Sequence, residues 1–145
     1  MKTKPTPPET LKVYDAFVDG SSHQDKEAAW AFIVVENDKV IHQNSGKLRG
    51  KICSLFQIGA ELTSIINAVK WAKENNCKIN LTYDLDGALF WGNGSWKCKN
   101  EWTKKYFKFI NNNRESINSW VKVVAHSGNK YNNLVDKLVN NTLNS

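Results

Sequence analysis

Proline is nearly absent from this chain, and its few copies are confined to the N-terminus. All three prolines, Pro5, Pro7 and Pro8, lie within the first eight of 145 residues. Because proline restricts the backbone and cannot donate a main-chain hydrogen bond, residues 1–10 are predicted to form a flexible, extended tail. Residues 11–145 contain no proline, no low-complexity linker and no evident repeat. They are therefore predicted to fold as one domain.

Cysteine is also scarce, and long apolar runs are missing. The three cysteines, Cys53, Cys77 and Cys98, are odd in number and form no Cys-x-x-Cys pair. This pattern argues against a zinc site or a disulfide framework and favours a reducing, cytoplasmic location. The N-terminal tail lacks the apolar core of a secretory signal, and no stretch approaches the roughly 20 apolar residues of a membrane span. We therefore expect a cytoplasmic protein without a membrane partner.

Acidic residues are outnumbered by basic ones. The chain has 14 Asp and Glu against 20 Lys and Arg, which gives a formal net charge of +6. A surplus of this size is compatible with a polyanionic partner such as nucleic acid, but it serves solubility equally well. Hydrophobic residues make up 41% of the chain, which is typical of a globular protein and argues against disorder. Charge alone therefore leaves nucleic-acid binding as one of two interpretations.

Hydrophobic periodicity predicts a chain in which strands and helices alternate. Strands are predicted over 11–19, 28–35, 39–43, 78–83 and 120–125, with a turn at Gly20-Ser21-Ser22. Helices are predicted over 54–75, 86–91, 101–111 and 129–141. The order βββ-α-β-α-α-β-α implies an α/β fold. It predicts a five-stranded mixed sheet, three antiparallel strands followed by βα units, with helices on both faces.

Three acidic residues stand out by their places in these predicted elements. Asp19 ends the first strand and Asp84 follows the fourth. Ligands of open α/β sheets collect beyond the carboxyl ends of strands, so these two carboxylates become neighbours if their strands pair. Glu61 lies on the edge of the apolar stripe of the long helix, where a carboxylate is costly unless it is paired or binds metal. Converging carboxylates offer the hard oxygen ligands that magnesium prefers.

Each of these positions also has an ordinary structural explanation. An Asp before Gly at a strand end is usually a turn residue, and a Glu beside an apolar stripe is usually solvated. Asp136 falls off the apolar stripe of the last helix, so periodicity alone predicts a surface residue. Only the complete set of acidic residues, in its order along the chain, favours a catalytic role.

Four short motifs, taken in order, resemble those of the type 1 ribonuclease H family. They are Val18-Asp19-Gly20-Ser21-Ser22, Gly59-Ala60-Glu61-Leu62, Thr82-Tyr83-Asp84, and Ala125-His126-Ser127-Gly128 followed by Leu134-Val135-Asp136-Lys137-Leu138. None is decisive alone, but the four together are specific. The resemblance runs from about Tyr14 to Leu138, and the order of elements fits the ribonuclease H-like fold. Tyr83-Asp84-Leu85-Asp86-Gly87, with Trp91 and Trp96, is most similar to a bacterial branch of the family.

The resemblance implies an activity, a cofactor and a partner. It implies an endonuclease that hydrolyses the RNA strand of RNA–DNA hybrids and leaves 5′-phosphate and 3′-hydroxyl ends. It implies two Mg²⁺ ions, with Mn²⁺ as a substitute, since both ions accept carboxylate oxygen. The ligands implied are Asp19, Glu61, Asp84 and Asp136, and His126 joins them in the catalytic set. A monomer is also implied.

Substrate contacts are expected at two places. Gly20 and Ser21 are expected beside the RNA strand, because a glycine lets the backbone approach closely. Family members often carry, three residues before the last aspartate, a glutamate that contacts a ribose 2′-hydroxyl; here that position is Asn133, which can hydrogen-bond but has no charge. The residues available for contact with the DNA strand are a group of aromatic and basic side chains: Trp91, Trp96, Lys97, Lys99, Trp102, Lys104 and Lys105. For Trp102, and for Tyr106 nearby, packing of a helix is an equally good explanation.

Two other functions fit the same sequence. One is a hybrid-binding module with impaired catalysis, which the presence of all four carboxylates argues against. The other is a DNA-acting nuclease of the wider ribonuclease H-like superfamily, although the 125–128 motif and the helix carrying Asp136 fit ribonuclease H better. Competition between hybrid and duplex DNA separates this last alternative from ribonuclease H.

Overall fold

Five strands form one mixed sheet in the order β3-β2-β1-β4-β5. A computed structural model describes residues 11–23, 27–48, 56–123 and 128–145. The first three strands form an antiparallel meander, and the last two add to it in parallel. Their bounds are β1 (Val13–His23), β2 (Glu27–Glu36), β3 (Lys39–Lys47), β4 (Lys78–Tyr83) and β5 (Ile117–Lys122). The predicted mixed sheet is confirmed.

Helices cover both faces of the sheet, as predicted. They are α1 (Phe56–Glu74), α2 (Asp86–Gly92), α3 (Glu101–Asn112) and α4 (Lys130–Leu143). One core lies between the sheet and the helices α1 and α3, and it contains Phe32, Ile65 and Tyr106. The core on the opposite face lies under α4 and contains Phe17, Ile33 and Val139. Among the described residues, no helix is long and apolar enough to cross a membrane.

The alternation of side chains along β1 decides which helix each of them meets. Ala16 and Val18 belong to the core under α1, whereas Phe17 belongs to the core under α4. Because successive residues of a strand point to opposite faces, Asp19 and Ser21 face α4 and Gly20 faces α1. The Asp19 side chain therefore lies on the α4 side of the sheet.

The predicted turn at Gly20-Ser21-Ser22 is wrong, because β1 continues to His23. Gly20 pairs with Trp30, and Ser21 pairs with Ala29 of β2. Glycine and serine favour turns locally, but here the ladder to β2 satisfies their backbone groups. Asp19 therefore lies inside a strand rather than at its end.

Other predicted boundaries shift by a few residues. β5 begins at Ile117 instead of Trp120, directly after a short 3-10 helix (Arg114–Ser116) that the sequence did not predict. β3 continues to Lys47, beyond the residues 39–43 with which the sequence predicted it to start. The tail over 1–10 and the predicted end of β5 at 124–125 lie outside the described residues.

Candidate active site

The pairing of β1 with β4 brings two of the predicted carboxylates together. The two strands run parallel, with Phe17 opposite Thr82. Continuing this register by two residues sets Asp19 beside Asp84, just where β4 has ended. Both carboxylates line one cavity of about 250 Å³, and Asp136 of α4 lines it too. We refer to this space as the carboxylate cavity.

Asp136 reaches the carboxylate cavity although its position on α4 predicted a surface residue. Its neighbour Val135 is buried against the sheet, so Asp136 sits at the edge of the packed face. Its carboxyl group is hydrogen-bonded to that of Asp19. Burial, this hydrogen bond and the negative charges of Glu61 and Asp136 raise the pKa of Asp19 to about 8. The raised pKa of Asp19 marks a concentration of negative charge at this point of the cavity.

Glu61 enters the site from the opposite face of the sheet. Its side chain is buried, with 3% of its surface exposed. Its Oε1 accepts the backbone N–H of Asp84 at 2.8 Å and that of Leu85 at 3.0 Å. Burial raises the pKa of Glu61, and these two N–H groups offset part of that rise. Glu61 thus ties α1 to the segment after β4, while its Oε2 takes no part in these two bonds.

The Asp84 carboxylate is exposed and pairs with Lys122 of β5. Its Oδ1 lies 3.5 Å from the Lys122 Nζ, and the same ammonium lies 3.3 Å from Asp86 Oδ1. Desolvation lowers the pKa of Lys122, but the hydrogen bond to Asp86 and the charges of both aspartates raise it by more. Lys122 was not predicted as a site residue. It becomes a neighbour of Asp84 only because β5 pairs with β4, where Tyr83 lies opposite Lys122.

The four carboxylates are suitable ligands for a hard divalent cation, although their side chains are not arranged around a common point. Carboxylate oxygens are the ligands that Mg²⁺ and Mn²⁺ prefer. Within the described residues, no three His, Cys, Asp or Glu side chains are arranged as a finished metal site. The reason lies in their present partners, since Glu61 Oε1 holds two backbone N–H groups and Asp84 pairs with Lys122. The Asp84 side chain is 74% exposed and therefore has room to rotate toward Asp19.

The two predicted RNA-strand residues of β1 have different surroundings. Ser21 lines the carboxylate cavity, and its Oγ donates a hydrogen bond to Asn140 Oδ1 at 3.0 Å. Gly20 lines it as well but is buried, and a Cβ atom there would lie 2.4 Å from the backbone N of Glu61. The missing side chain of Gly20 therefore lets α1 approach the sheet, a role that the sequence did not reveal.

Two polar residues, Gln57 and Asn132, line the carboxylate cavity without having been predicted as site residues. Gln57 donates from Nε2 to the Gly20 carbonyl oxygen at 2.9 Å, and Asn132 lies one helical turn before Asp136. Gln57 and Asn132 each precede a proposed ligand by four residues, a spacing that places them on the same helix face and could have identified them. Asn133, by contrast, is exposed and is not among the lining residues. His126 lies outside the described residues.

The predicted DNA-strand residues share a second, larger cavity. This space of about 520 Å³, the tryptophan cavity, is lined by Trp91, Ser95, Trp96, Lys97, Lys99, Asn100 and Thr103. Trp96 is 44% exposed and packs edge-on against Trp91, with ring centroids 5.5 Å apart. Tyr106 lies instead in the core, where its hydroxyl donates to the Ala88 carbonyl at 2.7 Å. Packing therefore explains Tyr106, and Trp102 is half-buried on the same helix.

Comparison with known proteins places the chain in a family. The sequence matches the family model described as RNase H over residues 12–144. The chain belongs to the RNase H family. It is therefore an enzyme with ribonuclease H activity. No curated protein sequence matches it.

Solved structures of RNase H proteins share its fold. RNase H1 from the archaeon Halobacterium salinarum has 19% identity and a TM-score of 0.72, covering 91% of this chain and 98% of its own. The N-terminal RNase H domain of a Mycobacterium tuberculosis protein has 16% identity and a TM-score of 0.73, covering 92% and 94%. LC11-RNase H1, isolated from compost and crystallised in complex with an RNA/DNA hybrid, has 16% identity and a TM-score of 0.70, covering 90% and 96%. At these identities the similarity shows a shared fold.

Proposed function

We propose that this chain hydrolyses the RNA strand of RNA–DNA hybrids, using two divalent ions held by Asp19, Glu61, Asp84 and Asp136. The observation that carries the proposal is the convergence of three of these carboxylates on one cavity, with Glu61 fixed behind them. Membership in the RNase H family supports the reaction class. The fold shared with an RNase H1 that was crystallised with a hybrid supports the substrate.

The chemistry of a phosphodiester explains why this cavity needs cations. The substrate is anionic and is repelled by carboxylates, so the cluster suits it only together with bound positive charge. When bound, two Mg²⁺ or Mn²⁺ ions supply the charge that activates the attacking water and stabilises the leaving oxygen. Asp19, whose pKa is raised, would lose its proton to become a ligand, and Asp84 would turn away from Lys122. Hydrolysis in this manner leaves a 5′-phosphate and a 3′-hydroxyl.

The two strands of the hybrid would occupy the two cavities. The RNA strand would lie at the carboxylate cavity, where Ser21 and Asn132 offer a hydroxyl and an amide to ribose 2′-hydroxyls. Asn132 is better placed for this contact than the predicted Asn133, because only Asn132 lines the cavity. The DNA strand would lie at the tryptophan cavity, where Lys97 and Lys99 meet phosphate. His126 would assist proton transfer, because the ordinary histidine pKa lies near neutrality.

A cleavage assay with separately labelled strands tests this function. The purified protein is incubated with RNA–DNA hybrid, duplex DNA or duplex RNA, each with Mg²⁺, with Mn²⁺ or with a chelator. We expect cleavage of only the RNA strand of the hybrid, products with 5′-phosphate and 3′-hydroxyl ends, and no cleavage with the chelator. Asp84→Asn should abolish cleavage while the hybrid still binds.

Two results of that assay would contradict the proposal. An intact RNA strand under both metals, with the hybrid still bound, identifies a binding module with impaired catalysis. Cleavage of duplex DNA in preference to the hybrid identifies a DNA-acting nuclease of the same superfamily. In either case the carboxylate cavity would need a different substrate assignment.

Removing the Trp96 ring is expected to weaken hybrid binding. Trp96→Ala should raise the Kd for the hybrid about tenfold, because stacking of a base on an aromatic ring contributes about 1–3 kcal/mol. The rate at saturating hybrid should change far less, since Trp96 lies outside the carboxylate cavity. Fluorescence anisotropy with a labelled hybrid measures the Kd.

Trp102→Ala is the matched control for this prediction. Trp102 is another tryptophan of the same region, but it does not line the tryptophan cavity and instead lies under Lys105, whose Nζ is 4.8 Å from its ring centroid. Hybrid affinity should therefore change little in this variant. Equal weakening by both substitutions would mean that the tryptophan cavity does not hold the DNA strand.

A further inference from the structure

Lys122 brings a positive charge next to Asp84, which lines the carboxylate cavity. Its Nζ lies 3.5 Å from Asp84 Oδ1, 3.3 Å from Asp86 Oδ1 and 5.9 Å from the centroid of the Tyr83 ring. The parallel register of β4 and β5, with Tyr83 opposite Lys122, sets this position. The ammonium is thus shared between a proposed metal ligand, Asp84, and a second aspartate that does not line the carboxylate cavity.

A divalent ion bound to Asp84 would be repelled by the nearby Lys122 ammonium. Both cations need the negative charge of Asp84, and like charges a few ångströms apart repel each other. Asp86 weakens the hold of the ammonium on Asp84, because the Asp86 carboxylate attracts the same ammonium. Removing Asp86 leaves Asp84 as the remaining acidic partner of Lys122 among the described residues.

We propose that Lys122 is a built-in counter-ion that competes with the divalent metal for Asp84, and that Asp86 weakens this competition by drawing the ammonium away. The inference rests on the proposed function, because it takes Asp84 as a metal ligand. Lys122 is a positioning residue, since it acts through Asp84. It lowers the metal affinity of the substrate-free protein.

Metal titration of the substrate-free protein tests the proposal. Mn²⁺ is titrated into chelator-treated protein by isothermal calorimetry, for the unaltered chain and for Lys122→Gln, Asp86→Asn and the double variant. Lys122→Gln should tighten Mn²⁺ binding and Asp86→Asn should weaken it, each by about two- to fivefold, the range that partly exposed ion pairs support. In the double variant, the Asp86→Asn substitution should lose most of its effect.

Additivity separates this proposal from a general effect of net charge. If Asp86 acted only through its field on the metal, Asp86→Asn would weaken binding equally with and without Lys122. Lys122→Arg keeps the positive charge and should keep the affinity of the unaltered chain. Lys12→Gln is the matched control, because it breaks another surface pair, with Glu36 at 3.8 Å, and neither residue lines the carboxylate cavity. It should leave the Mn²⁺ affinity unchanged.

The outcomes distinguish this inference from the proposed function. If the unaltered chain binds Mn²⁺ and cleaves hybrid but Lys122→Gln does not tighten binding, the counter-ion role is overturned and the nuclease assignment stands. Additive effects in the double variant overturn the role of Asp86. If the unaltered chain neither binds Mn²⁺ nor cleaves hybrid, the proposed function fails and this inference fails with it. Melting curves of every variant verify that each protein is folded.

Discussion

Asp19→Asn is expected to lower hybrid cleavage about a thousandfold or more. Asp19 lies where the cavity is most acidic, with Asp136 hydrogen-bonded to it and Glu61 close enough to raise its pKa. Bound metal ions provide several kcal/mol of transition-state stabilisation, and each 1.4 kcal/mol corresponds to about a factor of ten in rate. An amide at this position keeps the shape of the side chain but supplies no charge to hold the ions.

The same substitution is expected to stabilise the metal-free protein at alkaline pH. The pKa of Asp19 is raised from 3.8 to about 8 in the folded chain, so ionising it costs folding free energy. This cost is absent below pH 3.8, grows as the pH rises, and is complete above about pH 8. Asparagine carries no such cost and can still donate a hydrogen bond to Asp136. The unfolding temperature should therefore rise by roughly 3–10 °C at pH 9 and by less at pH 5.

Two measurements check this pair of effects. Single-turnover cleavage of labelled hybrid gives the loss of activity, and thermal melts with a chelator at pH 5 and pH 9 give the change in stability. Saturating Mg²⁺ should reduce or reverse the stability gain, because bound ions neutralise the charge of the unaltered chain. A variant that melts below the unaltered chain at pH 9 would show that Asp19 is not held in an acidic cluster.

Gly20→Ala is expected to damage both stability and activity. The added Cβ would lie 2.4 Å from the Glu61 backbone N and 2.6 Å from the Ala60 carbonyl carbon. These are backbone atoms of α1, so the helix itself must move. Overpacking of this kind costs about 2 kcal/mol or more, which lowers the unfolding temperature by roughly 5–10 °C. Because Glu61 moves with the helix, cleavage should fall by up to about a hundredfold.

Gly92→Ala is the matched control for this prediction. Its added Cβ would meet its nearest atom, Ile110 Cγ2, at 3.4 Å, which is an ordinary contact. Gly92 is the last residue of α2, where alanine has the higher helix propensity, so stability should change by less than about 1 kcal/mol. Melting curves and single-turnover rates of both variants are compared with the parent. Similar melting of Gly20→Ala and the parent would mean that α1 does not rest on β1 at this point.

The sequence by itself determined the order of the five strands and the four helices, and it singled out the acidic residues as candidates. Helical and strand periodicities are local properties, so the stripe of α1 and the strand at 78–83 could be read without knowledge of their partners. The fold class followed, because three strands followed by βα units have few ways to bury their apolar faces. Asp84 could be placed for the same reason, since it comes directly after a strand whose end is visible in the sequence.

Only the tertiary structure decided which side chains meet. Asp136 falls off the apolar stripe of its helix, so periodicity predicted a surface residue, and it enters the carboxylate cavity because α4 packs across β1. Gly20 looked like a turn residue, and the contact that requires it comes from α1, which lies far away along the chain. Lys122 becomes the partner of Asp84 through the register of β4 and β5. Such contacts join distant parts of the chain, and local sequence patterns carry no information about them.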